Sequence, residues 1–219
     1  MEVNMSKQIA VLGMGRFGKK TALSLAEMGA DVMVVDANPN VLAKISDKVT
    51  YAIEADLKNI ESIAGTGIEN MEVVVVAMGS DLTASIMSVM AAKEVGVPFV
   101  LAKASDERMG QILEKVGADK VIFPEEETGE RVARTLMSDS FMDYFDIDKN
   151  LGMIEMHPKK EWVGKTLIEL NLRKAYHANV VAIKDETGMH AFVDPSRPLE
   201  ENDELLVLLE KSDLKKLQK

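Results

Sequence analysis

Apolar residues in this chain fall into short unbroken runs, and helix-spaced segments separate them. Gln8-Ile9-Ala10-Val11-Leu12-Gly13 is the first run and reads as a buried strand ending in glycine. From Phe17 the spacing becomes helical: Phe17, Ala22, Leu25 and Met28 share one face, and Gly29 stops the helix. Residues 31–36 form a second strand, and Asn38-Pro39 opens a helix because proline suits a first turn. A third strand spans 49–54 and a short helix about 58–64. Residues 73–77 are β-branched and apolar on both faces, the pattern of a central strand covered on each side. A helix over 82–95, a strand over 99–102, a helix over 106–116 and a strand over 120–124 complete the series. Strand–helix alternation at this spacing predicts an α/β fold with a six-stranded, doubly wound parallel sheet.

After residue 124 the pattern changes. Residues 125 to about 145 read as one longer helix, with Val132, Leu136 and Phe141 as its apolar positions. Beyond it come short strands over 153–156, 180–184, 190–193 and 205–209, with a short helix starting near Thr166. This predicts a small α+β domain. Charge is dense and apolar residues thin out over 146–151, so the boundary is placed there: 1–146, including the long helix as connector, and 147–219.

Gly13-Met14-Gly15-Arg16-Phe17-Gly18 is a G-x-G-x-x-G loop between a strand and a helix, the context of a Rossmann nucleotide site. The first glycine suits the tight turn, the second lets the backbone approach a pyrophosphate, and the third lets the helix pack on the sheet. The helix start then offers unpaired N–H groups to phosphates. Asp36, at the end of the second strand, is placed to accept hydrogen bonds from ribose hydroxyls. Its carboxylate would repel a 2′-phosphate, which disfavours NADP. Two readings of Asp36 stay open, since it also stands where it would cap the helix at Pro39.

Composition narrows the chemistry. The 219 residues carry a net charge of −10, which speaks against nucleic acid as a partner. The absence of cysteine excludes disulfides, Cys-ligated metals and thiol catalysis. No apolar run approaches the ~20 residues of a membrane helix, and the first residues show no signal-peptide core, so a cytoplasmic protein is expected. His157, His177 and His190 lie in the small second domain outside any catalytic motif. A dehydrogenase needs a substrate domain with an acid/base group, and the second domain is small for that. The nucleotide is therefore expected to be read as a signal, with a small NAD-dependent oxidoreductase as the alternative. The fifteen methionines, among them Met5, Met14, Met28, Met33, Met71, Met78, Met87 and Met90, read mostly as core fillers. Glu125-Glu126-Glu127 reads either as favourable charge at a helix start or as part of a hard-cation site beside a phosphate.

The sequence resembles the cytoplasmic regulatory (RCK) subunits of Ktr/Trk-type potassium uptake systems. The first half is similar to a TrkA-N domain through residues 9–18, Val34-Val35-Asp36, Val75-Val76-Ala77-Met78-Gly79, Ala102-Lys103-Ala104 and Gly117 to Glu125. The second half is similar to a TrkA-C domain through residues 167–173, Val180-Val181-Ala182-Ile183 and residues 203–208. The resemblance implies an octameric ring of four dimers docked on a membrane potassium channel subunit, with ATP/ADP as the first-choice ligands and NAD(H) as the second. It implies that Arg16 reaches phosphates across a dimer interface, that Lys103 adds a second positive charge and that Asp36 binds ribose. It further implies that Gly13, Gly15, Phe17, Gly18, Ala77 and Gly79 shape the site and that Glu125 holds a divalent cation such as Mg2+. Asp56 takes the aspartate position of a family stretch that reads Glu54-Ala55-Asp56-Leu57 here, without that stretch's glycine and threonine. Some TrkA-C domains bind cyclic di-AMP between two copies. Arg173, Asn179 and Val180 are the residues that would supply such a site, and Arg173 reads equally as a surface charge.

Overall fold

The computed structural model describes residues 6–136 and 141–217. By its contacts the chain divides into two compact units, Met1–Glu125 and Glu126–Lys219. The first unit runs β1 (Gln8–Leu12), α1 (Arg16–Glu27), β2 (Asp31–Asp36), α2 (Pro39–Leu42), β3 (Tyr51–Glu54) and α3 (Ile60–Ala64). It continues with β4 (Val73–Val76), α4 (Leu82–Glu94), β5 (Phe99–Lys103), α5 (Glu107–Lys115), β6 (Lys120–Ile122) and the start of α6 (Pro124–Leu136).

All six strands are parallel, in the order β3-β2-β1-β4-β5-β6. The chain winds outward from β1 to β3, then returns to place β4 on the other side of β1. This reversal leaves a crevice at the carboxyl ends of β1 and β4. Successive residues of β1 feed opposite cores. Ala10 and Leu12 join Val35, Val74 and Val89 on one face, while Ile9 and Val11 join Ala22, Val34 and Ile45 on the other. Strands buried on both faces have no polar side, which is why these runs are unbroken in the sequence.

The second unit contains the rest of α6, β7 (Phe141–Asp146), β8 (Leu151–Met156), α7 (Leu167–Leu170), α8 (Leu172–Tyr176), β9 (Ala178–Asp185), β10 (Gly188–His190), β11 (Glu204–Glu210) and α9 (Leu214–Leu217). Its sheet is antiparallel, in the order β10-β9-β11-β8-β7. Tyr144, Ile154, Met156, Trp162, Leu205 and Leu209 form its core. Thr166 and Glu169 close a capping box at the start of α7, with reciprocal bonds that satisfy two terminal amides.

Three expectations are corrected. The helix expected to run to Phe145 ends at Leu136, and residues 141–146 are a strand; residues 137–140 lie outside the described residues. Alternation decides the strand: Tyr144 is fully buried, while Asp143 and Phe145 are outside the core, and β7 pairs with β8. Residues 141–146 thus belong to the second sheet. Val132 and Leu136, two of the apolar positions named for that helix, are exposed. The strand expected over 190–193 instead spans Gly188–His190. Among the methionines, Met28 is exposed, Met14, Met33 and Met71 are buried, and Met5 lies outside the described residues.

Candidate functional site

The crevice is a cleft of about 550 Å³ lined by Gly13, Gly15, Arg16, Phe17, Asp36, Ala77, Met78, Gly79, Ser80, Asp81, Lys103, Ser105 and Glu125. Each lining segment follows the carboxyl end of a parallel strand or forms that end, so the sheet order alone brings these distant residues together.

The loop after β1 is built for close approach. Gly13 sits at a φ of +93°, a region L side chains rarely adopt, and its N–H bonds to the Val35 carbonyl at 2.8 Å. A side chain at Gly18 would collide with the Gly13 carbonyl and come within 3.0 Å of Ala77 Cβ. The glycine therefore lets α1 begin directly beneath the loop. Gly15 is the N-cap of α1 and makes no side-chain capping bond, and the first turn carries no acidic residue. The opening amides of α1 thus lack a side-chain acceptor, and the helix dipole adds a partial positive charge. By contrast, α4 is capped by Asp81, whose Oδ1 accepts from Ala84 N–H at 3.0 Å.

Asp36 fixes the loop from below. Its Oδ2 accepts from Met14 N–H at 2.6 Å and its Oδ1 from Asn38 N–H at 2.8 Å. The cap of α2 is Asn38, which accepts from Asn40 N–H at 3.0 Å. Of the two readings of Asp36, the helix cap therefore falls away. Each carboxylate oxygen retains acceptor capacity toward the cleft.

The charges of the cleft are distributed unevenly. Arg16 is exposed and makes no hydrogen bond or ion pair with any described residue. Lys103 is only 11% exposed; its Nζ lies 2.5 Å from Glu125 Oε1 and 5.6 Å from the centre of the Phe17 ring. The hydrogen bond from Lys103 holds the Glu125 carboxyl below its ordinary value against desolvation, and Glu125's own amide and the charges of Lys103 and Arg16 lower it further. Asp81 pairs with Lys58 at 2.9 Å, and its carboxyl is lowered chiefly by the Ala84 amide.

Most of the sequence-predicted residues meet here. Gly18 lies behind the wall and does not line it. Asp56 does not line it either: its Oδ1 accepts from Lys58 N–H at 2.9 Å in the turn after β3. Ser80, Asp81 and Ser105 were not anticipated as site residues. They stand just past the ends of β4 and β5, and that position was the signal for them. For a divalent cation, no group of three or more His, Cys, Asp or Glu occurs among the described residues. Glu125 offers a single carboxylate, already bonded to Lys103, so the described residues of this cleft do not by themselves make a metal site without ligand oxygens.

A second cleft, of about 520 Å³, lies within the second unit and is lined by Leu167, Ile168, Asn171, Leu172, Arg173, Asn179, Val180, Val193 and Pro195. The three residues singled out in the sequence converge in it. Arg173 Nε donates to Asn179 Oδ1 at 2.8 Å, which leaves the guanidinium's terminal nitrogens for another acceptor. None of the three histidines lines either cleft.

Comparison with known proteins gives a consistent picture. Residues 9–124 match the TrkA-N domain and residues 151–219 the TrkA-C domain. The chain is 30% identical over 213 residues to Ktr system potassium uptake protein A of Bacillus subtilis (strain 168), covering 97% of this chain and 96% of that protein. It is 34% identical over 202 residues to Ktr system potassium uptake protein A of Vibrio alginolyticus, covering 92% of each. Among solved structures, the GsuK channel bound to NAD superposes with a TM-score of 0.66 at 14% identity, over 98% of this chain and 39% of that one.

Proposed function

Because this chain belongs to the TrkA-N/TrkA-C family of potassium uptake proteins, we propose that it is a nucleotide-sensing regulatory subunit. It assembles as dimers into an octameric ring on a membrane potassium channel or transporter and controls K+ uptake. The two relatives named above are potassium uptake proteins, so the oxidoreductase alternative is set aside. No helix among the described residues is long and apolar enough to cross a membrane, which fits attachment from the cytoplasmic side through a partner.

The observation that carries this reading is the uncapped start of α1 at a strand-order reversal, with one unpaired cation beside it. The α1 amides, Gly13 and Gly15 receive phosphates, Asp36 receives ribose hydroxyls, and Ala77 and Gly79 form the opposite wall. Arg16 projects from the loop near enough to Glu125 to feel its charge but in no hydrogen bond or ion pair among the described residues, which suits contact with the phosphates of a nucleotide held by a neighbouring copy. ATP and ADP are the first-choice ligands, and NAD(H) the second; a GsuK channel is known bound to NAD. A divalent cation, when present, would neutralise phosphate charge with Glu125 as its protein ligand. In the second unit, Arg173, Asn179 and Val180 form a site for cyclic di-AMP.

Gating requires that the ligand bind one ring shape more tightly than another, because a ligand with equal affinity for both shifts nothing. An arginine that reaches a terminal phosphate in one shape only supplies such a difference between ATP and ADP. The test is thermal stabilisation by ATP, ADP, NAD and NADH, with and without magnesium, in wild type and Arg16→Ala. The expected result is stabilisation of wild type by adenine nucleotides, reduced in the variant. No shift with any nucleotide rejects the reading.

A further inference from the structure

The cation that faces the middle of the nucleotide cleft is not free. Lys103 is mostly buried, its stem runs past Gly79, and its ammonium rests over Phe17 with Glu125 as its one ion-pair partner among the described residues. A Cβ on Gly79 would stand 2.9 Å from Lys103 Cε and 3.1 Å from its Nζ, so the end of the lysine side chain would have to shift to make room. Glu125 is in the opposite situation. It is 69% exposed, in the first turn of α6, where the helix start and water both stabilise a carboxylate without Lys103. Returning Glu125 to water costs little, whereas a largely buried ammonium stripped of its anion is costly. Lys103 therefore requires an anion in this position, and Glu125 is the replaceable member of the pair.

We propose that Glu125 serves as an internal counter-anion for Lys103 and that a ligand phosphate displaces it. This rests on the nucleotide reading of the cleft and adds a rule of selection to it. A ligand must bring enough negative charge to Lys103 to outcompete a carboxylate already bonded there. Polyphosphates meet that condition, and an uncharged nucleoside does not. The pair thus sets a threshold on ligand charge, separate from the contacts to ribose and base.

The test is calorimetric titration of the full-length protein with ATP and with adenosine, in EDTA to remove divalent cations. The proteins are wild type, Glu125→Gln, Glu125→Asp, Lys103→Met and the double variant Glu125→Gln/Lys103→Met. Circular dichroism confirms that each is folded. Glu125→Gln is expected to bind ATP about fivefold more tightly than wild type, the worth of a partly exposed ion pair. Its adenosine affinity stays unchanged, and Glu125→Asp stays near wild type. Lys103→Met binds ATP more weakly, and adding Glu125→Gln to it brings no gain. Equal or weaker ATP binding by Glu125→Gln, beside measurable binding by wild type, overturns the proposal and leaves the nucleotide reading standing. An equal gain for adenosine overturns it as well. Absence of ATP and adenosine binding in wild type and all variants removes the nucleotide reading together with the proposal.

Discussion

Replacing Arg197 by methionine should destabilise the second unit severely, and the structure gives the size. Asp203 is 1% exposed and accepts three hydrogen bonds: from Arg197 Nη1 at 2.7 Å, from Arg197 Nη2 at 2.9 Å and from Glu200 N–H at 2.8 Å. Methionine keeps most of the arginine's volume but removes two of the three donors and the only facing positive charge among the described residues. Stranding a buried carboxylate in this way costs about 3–5 kcal/mol. Arg197 is itself 29% exposed, so water reaches part of the site and the lower end, about 3 kcal/mol, applies. Trp162, the chain's single tryptophan, provides the assay, because it is buried in the core of that unit against Tyr176. With a urea slope of about 1.5 kcal/mol per molar, the midpoint of the Trp162 fluorescence transition should fall by about 2 M at fixed protein concentration. Arg197→Lys keeps the charge but loses the two-pronged geometry and should fall between. The exposed pair Lys184–Glu204, at 2.6 Å, is the control, and Lys184→Gln should move the midpoint far less. Comparable shifts for Arg197→Met and Lys184→Gln would refute the argument that burial, rather than ion pairing as such, sets the cost.

Three further outcomes are expected. Asp119 accepts from Val100 N–H at 2.7 Å and pairs with Lys93 at 3.0 Å; the amide first and the lysine second hold its carboxyl below the ordinary range. A depressed carboxylate contributes stability above its unfolded pKa and loses it as pH falls through the folded one, so Asp119→Asn should lower stability at neutral pH and flatten its decline below about pH 4, followed by circular dichroism. Gly79→Ala should leave the fold intact but shift the end of Lys103; ATP-induced thermal stabilisation then falls, and an unchanged shift shows that Lys103 is not used. Arg173→Ala should weaken cyclic di-AMP binding tenfold or more by calorimetry while leaving stabilisation by ATP unaltered.

The parts of the fold that depend on local pattern were legible. Unbroken apolar runs such as Val73–Val76 announced strands buried on both faces, and capping residues such as Asn38, Asp106 and Thr166 stand where helices begin. Local pattern misled at α6. Val132 and Leu136 have helical spacing, but the chain's described residues do not cover them, and the same apolar trend concealed the change to period two at Tyr144. The loop glycines and Asp36 were legible because each is defined by its distance from a strand end, whereas Arg16 was singled out only through the family resemblance. Ser80, Asp81 and Ser105 have the same kind of position and no motif to mark them.

From sequence alone follow the alternation of elements, the glycine turn that aims the start of α1, and a second part of different class. These are determined by side-chain period and by backbone freedom at single residues, which are properties of adjacent positions. Tertiary structure decided which charges meet. Lys103 and Glu125 are twenty-two positions apart, at the end of β5 and the start of α6, and whether they touch depends on strand order, register and the bare backbone at Gly79. Arg173 and Asn179 meet because two short helical turns lead directly into β9, and Asp203 meets Arg197 because the segment between them folds back on itself just before β11. Charge pairing acts over a few ångströms in space and leaves no period along the chain, so it appears only when the chain is folded.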